Sequence, residues 1–525
     1  MNKASPSRPR TGRSALFVAT GILLSRLAGF IRQRVFSYYF GLESDAADAF
    51  NAAFRIPNFL QNLFGEGALS ASFIPVYASL LAGKDRREAD RVAGAVATAL
   101  ALIVSMIVLV GVLATPVFID VIAPGFSGAK RDLTIQIVRI LFPGAGLFVM
   151  SAWCLGVLNS HHRFLLSYTA PVMWNAAMIA ALIIGGKSPL PQLSIILAWG
   201  SVAGAALQFA VQLPVVFRVA PDLRFRIDTA SRHVREVIRN FTPAFISRGV
   251  VQVSAYIDAV IASFLPTGAV TGLTYAQLLY TLPVSLFGMS ISAAELPAMS
   301  GALGSDPAGA ETVRRRLAAG LRQIAFFVVP SAMAFLALGD VVAAALLQTG
   351  KFSHDDAVYV WSILAGSGVG LLASTFGRLY SSTYYAFKDT RTPLRFALVR
   401  VALTTILGYF FALPLPRLLN IPAVWGAAGL TASAGLSGWI EMLLLRRRLH
   451  ARIGSAWPGA SFLVKLWGAA VLAAAVAWGI KVVIPAMHPA LTAIVVLGPY
   501  GLVYFAATYL FGIPETTSAL KRLLR

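Results

Sequence analysis

Arg26 and Arg32 stand inside a stretch, Ala15 to Phe36, that otherwise reads as a membrane-crossing segment. A guanidinium keeps its charge at any physiological pH and offers a flat fork of donors that grips phosphate oxygens in pairs. At membrane depth it costs about 3 kcal/mol or more unless it faces protein, water or an anion. With a rise of about 1.5 Å per residue, Arg26 stands roughly 18 Å into a helix beginning near Ser14, close to the middle of a bilayer core about 30 Å thick. The chemistry these residues imply is anion binding in a cavity. Among the acids, Asp258 and Glu295 lie in apolar runs and are candidates for a coupling sodium ion or proton, with a helix-packing hydrogen bond or an arginine partner as the alternative. Arg378 and Arg400 also lie in apolar runs, facing a cavity or pairing with an acid, and Glu441 is expected to pair with the adjacent Arg446 to Arg448.

The elements that must position these groups are membrane helices. Hydrophobic residues make up 57% of the 525 and charged residues 13%, and the mean hydropathy is +0.73. A soluble chain carries about a quarter charged residues. The apolar runs predict about fourteen spans, near 15–39, 48–80, 92–118, 133–158, 164–185, 192–217, 238–265, 271–300, 318–346, 357–386, 392–413, 422–446, 460–483 and 490–512. The second, eighth and ninth runs are long and carry glycine or proline, so bent, broken or protruding helices are expected there. The net charge of +22 is a matter of topology: its cations cluster in alternate loops, such as Lys84/Arg86/Arg87/Arg91, Arg314/Arg315/Arg316 and Arg446/Arg447/Arg448. An even number of spans with both termini in the cytoplasm puts all these clusters on the inner side. The basic N-terminus leads into a retained first span rather than a signal peptide, because Arg26 interrupts the run.

A faint internal repeat organises the spans. Ser25-Arg26 matches Ser247-Arg248, Ser70-Ala71 matches Ser292-Ala293, and Pro75, Gly144 and Pro171 match Pro297, Gly366 and Pro393, each pair 222 residues apart. Even-numbered repeats are parallel and related by an axis along the membrane normal. The expected fold is therefore all-α, with two pseudo-symmetric six-helix lobes around a central cavity and two C-terminal helices. The boundaries expected are 1–217 for the first lobe, 218–237 for a cytoplasmic linker, 238–446 for the second lobe, and 447–525 for the extra helices and basic tail.

The stretch Ser25-Arg26-Leu27-Ala28-Gly29-Phe30-Ile31-Arg32, with Asp48-Ala49-Phe50, Phe54-Arg55-Ile56-Pro57-Asn58-Phe59 and Phe64-Gly65-Glu66-Gly67 through Pro75, resembles the MurJ/MviN-type lipid II flippases. These belong to the multidrug/oligosaccharidyl-lipid/polysaccharide exporter superfamily. Asp389-Thr390-Arg391-Thr392-Pro393 resembles that family's loop before its eleventh helix. The resemblance implies a flippase of the bacterial inner membrane that moves undecaprenyl diphosphate carrying the peptidoglycan disaccharide-pentapeptide to the outer leaflet by alternating access. It also implies membrane lipids and cell-wall synthesis enzymes as partners, and a groove for the lipid tail at the two extra helices. Another polyprenyl-diphosphate-linked oligosaccharide is the alternative cargo, with a multidrug or cation exporter further off because the first half offers arginines.

Carried over by position, Arg26 and Arg32 match the family's diphosphate-binding arginines, and Arg55 stands where a basic residue is usual. Ser25, Asp48 and Glu66 are supporting polar groups. Gln61 and Gln277 stand where relatives commonly carry arginine, and Gln33 where an aspartate often follows. Arg248, the repeat partner of Arg26, is then the candidate replacement across the cleft, with snorkelling to the headgroups as the plainer role. Arg34 and Arg55 also have a structural alternative, pairing with Asp48 or Glu66. No nucleotide loop and no nucleophile–base–acid set is present, so a transporter rather than an enzyme is expected, without cofactor or metal beyond a coupling Na+ or H+. The single cysteine, Cys154, excludes an intrachain disulfide.

Overall fold

In the computed structural model, residues 11–228, 231–305 and 309–523 are described, and among them the chain is helical throughout, with no strand. Contacts divide it into two compact units, one ending at Val260 and the other beginning at Ile261. The first contains α1 (Thr11–Phe40), α2 (Asp45–Gln61), α3 (Ser70–Ala82), α4 (Arg86–Leu113), α5 (Thr115–Ile122), α6 (Gly128–Ser160), α7 (Phe164–Gly185), α8 (Leu190–Val219) and all but the last two residues of α9 (Arg232–Ala262). The second contains α10 (Ala269–Pro283), α11 (Ser290–Ser305), α12 (Gly309–Ala337), α13 (Gly339–Leu347), α14 (His354–Ala386), α15 (Arg391–Ala412), α16 (Pro414–Leu418), α17 (Gly426–Ile453), α18 (Ala460–Val483), α19 (Pro489–Leu510) and α20 (Pro514–Leu523).

Eleven of the helical segments described are long and apolar enough to cross a membrane. Their surfaces agree with that role: α4 leaves Leu102, Met106, Leu109 and Leu113 exposed at helical spacing, an apolar face that water would not tolerate at this size. Local capping sets the ends. Ser44 accepts a hydrogen bond from the Ala47 amide at the start of α2, and Ser353 with Asp356 forms a capping box at the start of α14. Asp389 accepts from the Thr392 amide at 3.0 Å and the Thr392 hydroxyl at 2.8 Å. Those bonds, the amide first, hold its carboxyl below the usual carboxylate range.

The long second and eighth runs each stay helical but loosen into a π-helical stretch, Asn62–Leu69 between α2 and α3, and Val284–Met289 between α10 and α11. The two stretches begin 222 residues apart, the same offset as the sequence repeat. The ninth run breaks at Leu338 into α12 and α13. The third run, read as one span over 92–118, also breaks, at Ala114, where Pro116 starts the short α5. Proline at the opening of a helix is favoured because its missing amide is not needed there.

Within the second unit α14 packs along α17 at backbone contact: a Cβ on Gly370 would lie 2.3 Å from the Cα of Gly435. The hairpin of α18 and α19 is held to α12 by two tyrosines. Pro330 has no amide to donate to the Phe326 carbonyl one turn earlier, and the Tyr504 hydroxyl donates to that carbonyl at 2.6 Å. Tyr500 donates to the Pro330 carbonyl itself, also at 2.6 Å. An unpartnered carbonyl in this setting costs about 1–3 kcal/mol. We therefore expect Tyr504→Phe to lower the melting temperature of the purified chain, and to do so much less in a Pro330→Ala background, where the helix supplies its own donor. Equal losses in the two backgrounds would contradict this account of the hairpin's attachment.

Candidate anion site

In the first unit α1 lies against α7, and α2 against α6. Phe40, Phe36, Phe50, Phe54 and Trp174 form a continuous run of rings, with successive centroids 4.5, 5.6, 5.4 and 5.5 Å apart. The last two are parallel to within 2°. Trp174 is fixed by its indole donating to the Ser201 hydroxyl at 3.1 Å and by the edge-on ring of Phe148. Gly204 makes room for it, since a Cβ there would come within 2.8 Å of the indole.

Arg32 sits at the end of this run. Its guanidinium carbon is 5.0 Å from the Trp174 ring centre and 5.2 Å from that of Phe54, and one amino group reaches the Met178 sulfur at 3.5 Å. Ring faces steady a desolvated cation by about 2 kcal/mol without neutralising it. No carboxylate pairs with Arg32 among the described residues. Its charge is oriented and still open to an anion.

Arg26, six residues earlier, lies on the exposed face of α1 beside Leu23 and Leu27, with Ser25 half-buried next to it. Six residues apart on one helix, Arg26 and Arg32 stand about 9 Å from each other along the axis of α1. Arg55 is half-buried on α2; the Tyr256 hydroxyl donates to its carbonyl at 2.9 Å, and Tyr256, Asp258 and Asp48 are its electrostatic neighbours. Asp258 thus stands in the field of an arginine.

Asp48 is buried and closes an ion pair with Lys130 of α6 at 2.8 Å, and Lys130 also reaches Asp45 at 3.2 Å. Asp48, one of the two acids expected as structural partners of Arg34 and Arg55, is therefore paired with a lysine of another helix. The cause is tertiary: α2 and α6 start at the same end of the unit, so the first turn of one meets the first turn of the other. Gln61 is half-buried at the end of α2. Glu66 lies in the π-helical stretch and Arg248 on α9, and the side chains of both fall outside the described residues.

In the second unit Gln277 is exposed, its amide donating to Thr281 at 3.3 Å. Glu295 closes an ion pair with Arg316 at 3.3 Å, the arginine partnership rather than an open ion site. Glu441 pairs with Arg400 of α15 at 3.4 Å instead of with the arginines that follow it in sequence. Arg446 lies over the Trp457 ring, 4.0 Å from its centre. Tyr280 and Ser374 share a hydrogen bond of 2.7 Å close enough to Arg378 and Arg400 to feel both charges. The pairing of Arg400 with an acid was one of the two expected roles; that the acid is Glu441, and that Tyr280 and Ser374 lie close by, had no local sequence signal. No group of metal-ligating side chains occurs among the described residues.

The model of the lipid II flippase MurJ family matches residues 36–503. The chain is 33% identical over 476 residues to the lipid II flippase MurJ of Burkholderia cenocepacia, with 89% of each chain covered. The chain belongs to the MurJ family. A probable lipid II flippase MurJ of Rhizobium meliloti is 32% identical, over 82% of this chain and 78% of its own length. The fold is similar to a solved lipid II flippase MurJ in an inward closed conformation, with a TM-score of 0.78 at 23% identity, covering 97% of this chain and all of that one. It is also similar, more distantly, to an inward-facing multidrug MATE transporter of the MOP superfamily, with a TM-score of 0.68 at 16% identity over 83% of this chain and 98% of that one. Family membership and the apolar spans make this a multi-pass inner-membrane protein. Asp48, Arg55, Gln61, Glu66, Arg248 and Gln277 lie inside the matched stretch, whereas Arg26 and Arg32 precede it.

The Lys130 pair yields a test of the site's support. Removing one partner of a buried ion pair leaves the other charge uncompensated, at about 3–5 kcal/mol. Lys130→Met should lower the melting temperature of the purified chain sharply, and adding Asp48→Asn should recover most of the loss. A double variant as unstable as Lys130→Met would refute the pairing as the cause.

Proposed function

We propose that this chain moves lipid II from the cytoplasmic to the outer leaflet of the inner membrane. The observation that carries the reading is the Arg32 guanidinium, oriented by Trp174 and Phe54 and paired with no carboxylate among the described residues. A diphosphate supplies the missing counter-charge, and its oxygens match the guanidinium fork. The names of the curated relatives support the same cargo. In this reading Arg26, Arg32 and Arg55 receive the diphosphate, with Arg248 as a further donor and Gln61, Gln277 and Glu66 lining the polar path. Fourteen spans form two lobes around a central cavity, both termini are cytoplasmic, and rocking of the lobes alternates access. Asp258, near Arg55, is the remaining candidate for a coupling Na+ or H+.

An exporter of small cations on the same fold would need an acidic cavity, whereas here Asp48 and Glu295 are spent on Lys130 and Arg316. The protein acts as a transporter and not as an enzyme.

Translocation of defined lipid II by the purified chain in proteoliposomes tests the reading. Arg32→Ala should reduce the rate at least about ten-fold, the loss of one charge-assisted contact, while Arg32→Lys should recover only part because it lacks the planar fork. Full activity of both at normal incorporation would overturn the assignment. An inside-negative potential should speed outward movement of the anionic headgroup, since crossing 100 mV is worth about 2.3 kcal/mol per charge. A rate indifferent to collapse of the potential would contradict electrophoretic assistance.

A further inference from the structure

A cleft of about 790 Å³ opens on the first unit between α5, α6 and α8, away from Arg32. Asp132, Gln136, Arg139 and Pro143 line it from α6, Pro116 from α5 and Trp199 from α8. Its volume is in the range of pockets that hold small ligands, about 300–1,000 Å³. Asp132, Gln136, Arg139 and Pro143 are exposed and recur every three or four residues, so they form one stripe on the outward face of α6.

The depth of the stripe is informative. The 33 residues of α6 make a helix of about 50 Å, against a hydrocarbon core of about 30 Å. Arg139 lies about 17 Å from the first residue at 1.5 Å per residue, which puts its Cα roughly 7 Å inside the hydrocarbon edge when the helix is centred. Helical side chains lean toward the N-terminus, so the guanidinium reaches back to headgroup depth. Trp199, 58% exposed, offers the amphipathic ring typical of this level.

Charge then selects the ligand. Arg131, the other cation of the cleft, is already held by Asp120 at 2.9 Å. Arg139 and Asp132 make no ion pair or hydrogen bond with a described residue. Seven residues apart, they share a face but stand about 10 Å from each other along the axis, too far for a direct pair. The cleft therefore offers one open cation deep, one open carboxylate nearer water, and the Gln136 amide between them. An anionic headgroup would leave Asp132 opposed. A zwitterionic headgroup with a phosphate below and a primary ammonium above would satisfy both.

We propose that this cleft is a binding site for an aminophospholipid headgroup, with Arg139 and Gln136 on the phosphate and Asp132 on the ammonium. It is separate from the flippase cargo site and does not depend on that reading. Native mass spectrometry of the purified full chain, titrated with phosphatidylethanolamine or phosphatidylglycerol of the same acyl chains, tests it. Phosphatidylethanolamine should be retained about five-fold more than phosphatidylglycerol, the worth of one partly exposed ion pair. Asp132→Asn should abolish that preference while leaving phosphatidylglycerol retention intact, and Arg139→Gln should weaken both lipids. Because both side chains are exposed, each variant should melt like the parent. Equal retention of the two lipids by the parent chain, or an Asp132→Asn variant with the preference intact, would overturn the proposal.

Discussion

A charge inside a bilayer must be matched, and the way each one is matched organises this molecule. Asp48 is matched by Lys130, Asp340 by Lys481, Glu441 by Arg400 and Glu295 by Arg316, each across two helices. All four tie elements together, and for Asp48 and Asp340, whose carboxylates are buried, removal of the lysine would leave a charge poorly compensated in a medium of low dielectric. Arg32 is matched differently. Ring faces and a thioether hold its position and leave its charge uncancelled. A transport site needs that combination: a carboxylate would have to be displaced by every incoming phosphate, whereas a quadrupole remains in place while the anion binds.

The same economy governs the backbone. Prolines inside the spans remove amide donors, and the freed carbonyls find replacements on neighbouring helices, as Tyr504 does for Phe326. The π-helical stretches at Asn62–Leu69 and Val284–Met289 occupy equivalent places in the repeat and widen the helix without breaking it. The second run carries Gly65-Glu66-Gly67 at its π stretch. Irregular helix geometry therefore coincides with a motif of the family rather than with a random weak point.

Periodicity and charge made the all-helical class, most span positions and the long irregular runs legible from the residues alone. That Arg26 and Arg32 would require a counter-charge needed no tertiary information, because the cost of a guanidinium in an apolar run is a local property. The break at Ala114 was missed because hydropathy continues unbroken through Pro116, while the direction of the chain does not. Glu441 was assigned to its sequence neighbours because nearness in sequence is the only nearness a sequence displays.

The sequence by itself determined the solvent: a chain this apolar, with its clusters of cations in alternate loops, can satisfy its backbone only as membrane helices. It also determined that cations would lie within them. Tertiary structure decided which cations are spent. Lys130 lies 82 residues from Asp48 in the chain and Trp174 far from Arg32, so neither partnership has a local signature. Each exists only because α2 meets α6 at their first turns and α7 brings its indole against α1. Distance through space, fixed by helix packing, sets electrostatic pairing, and a one-dimensional pattern does not encode it.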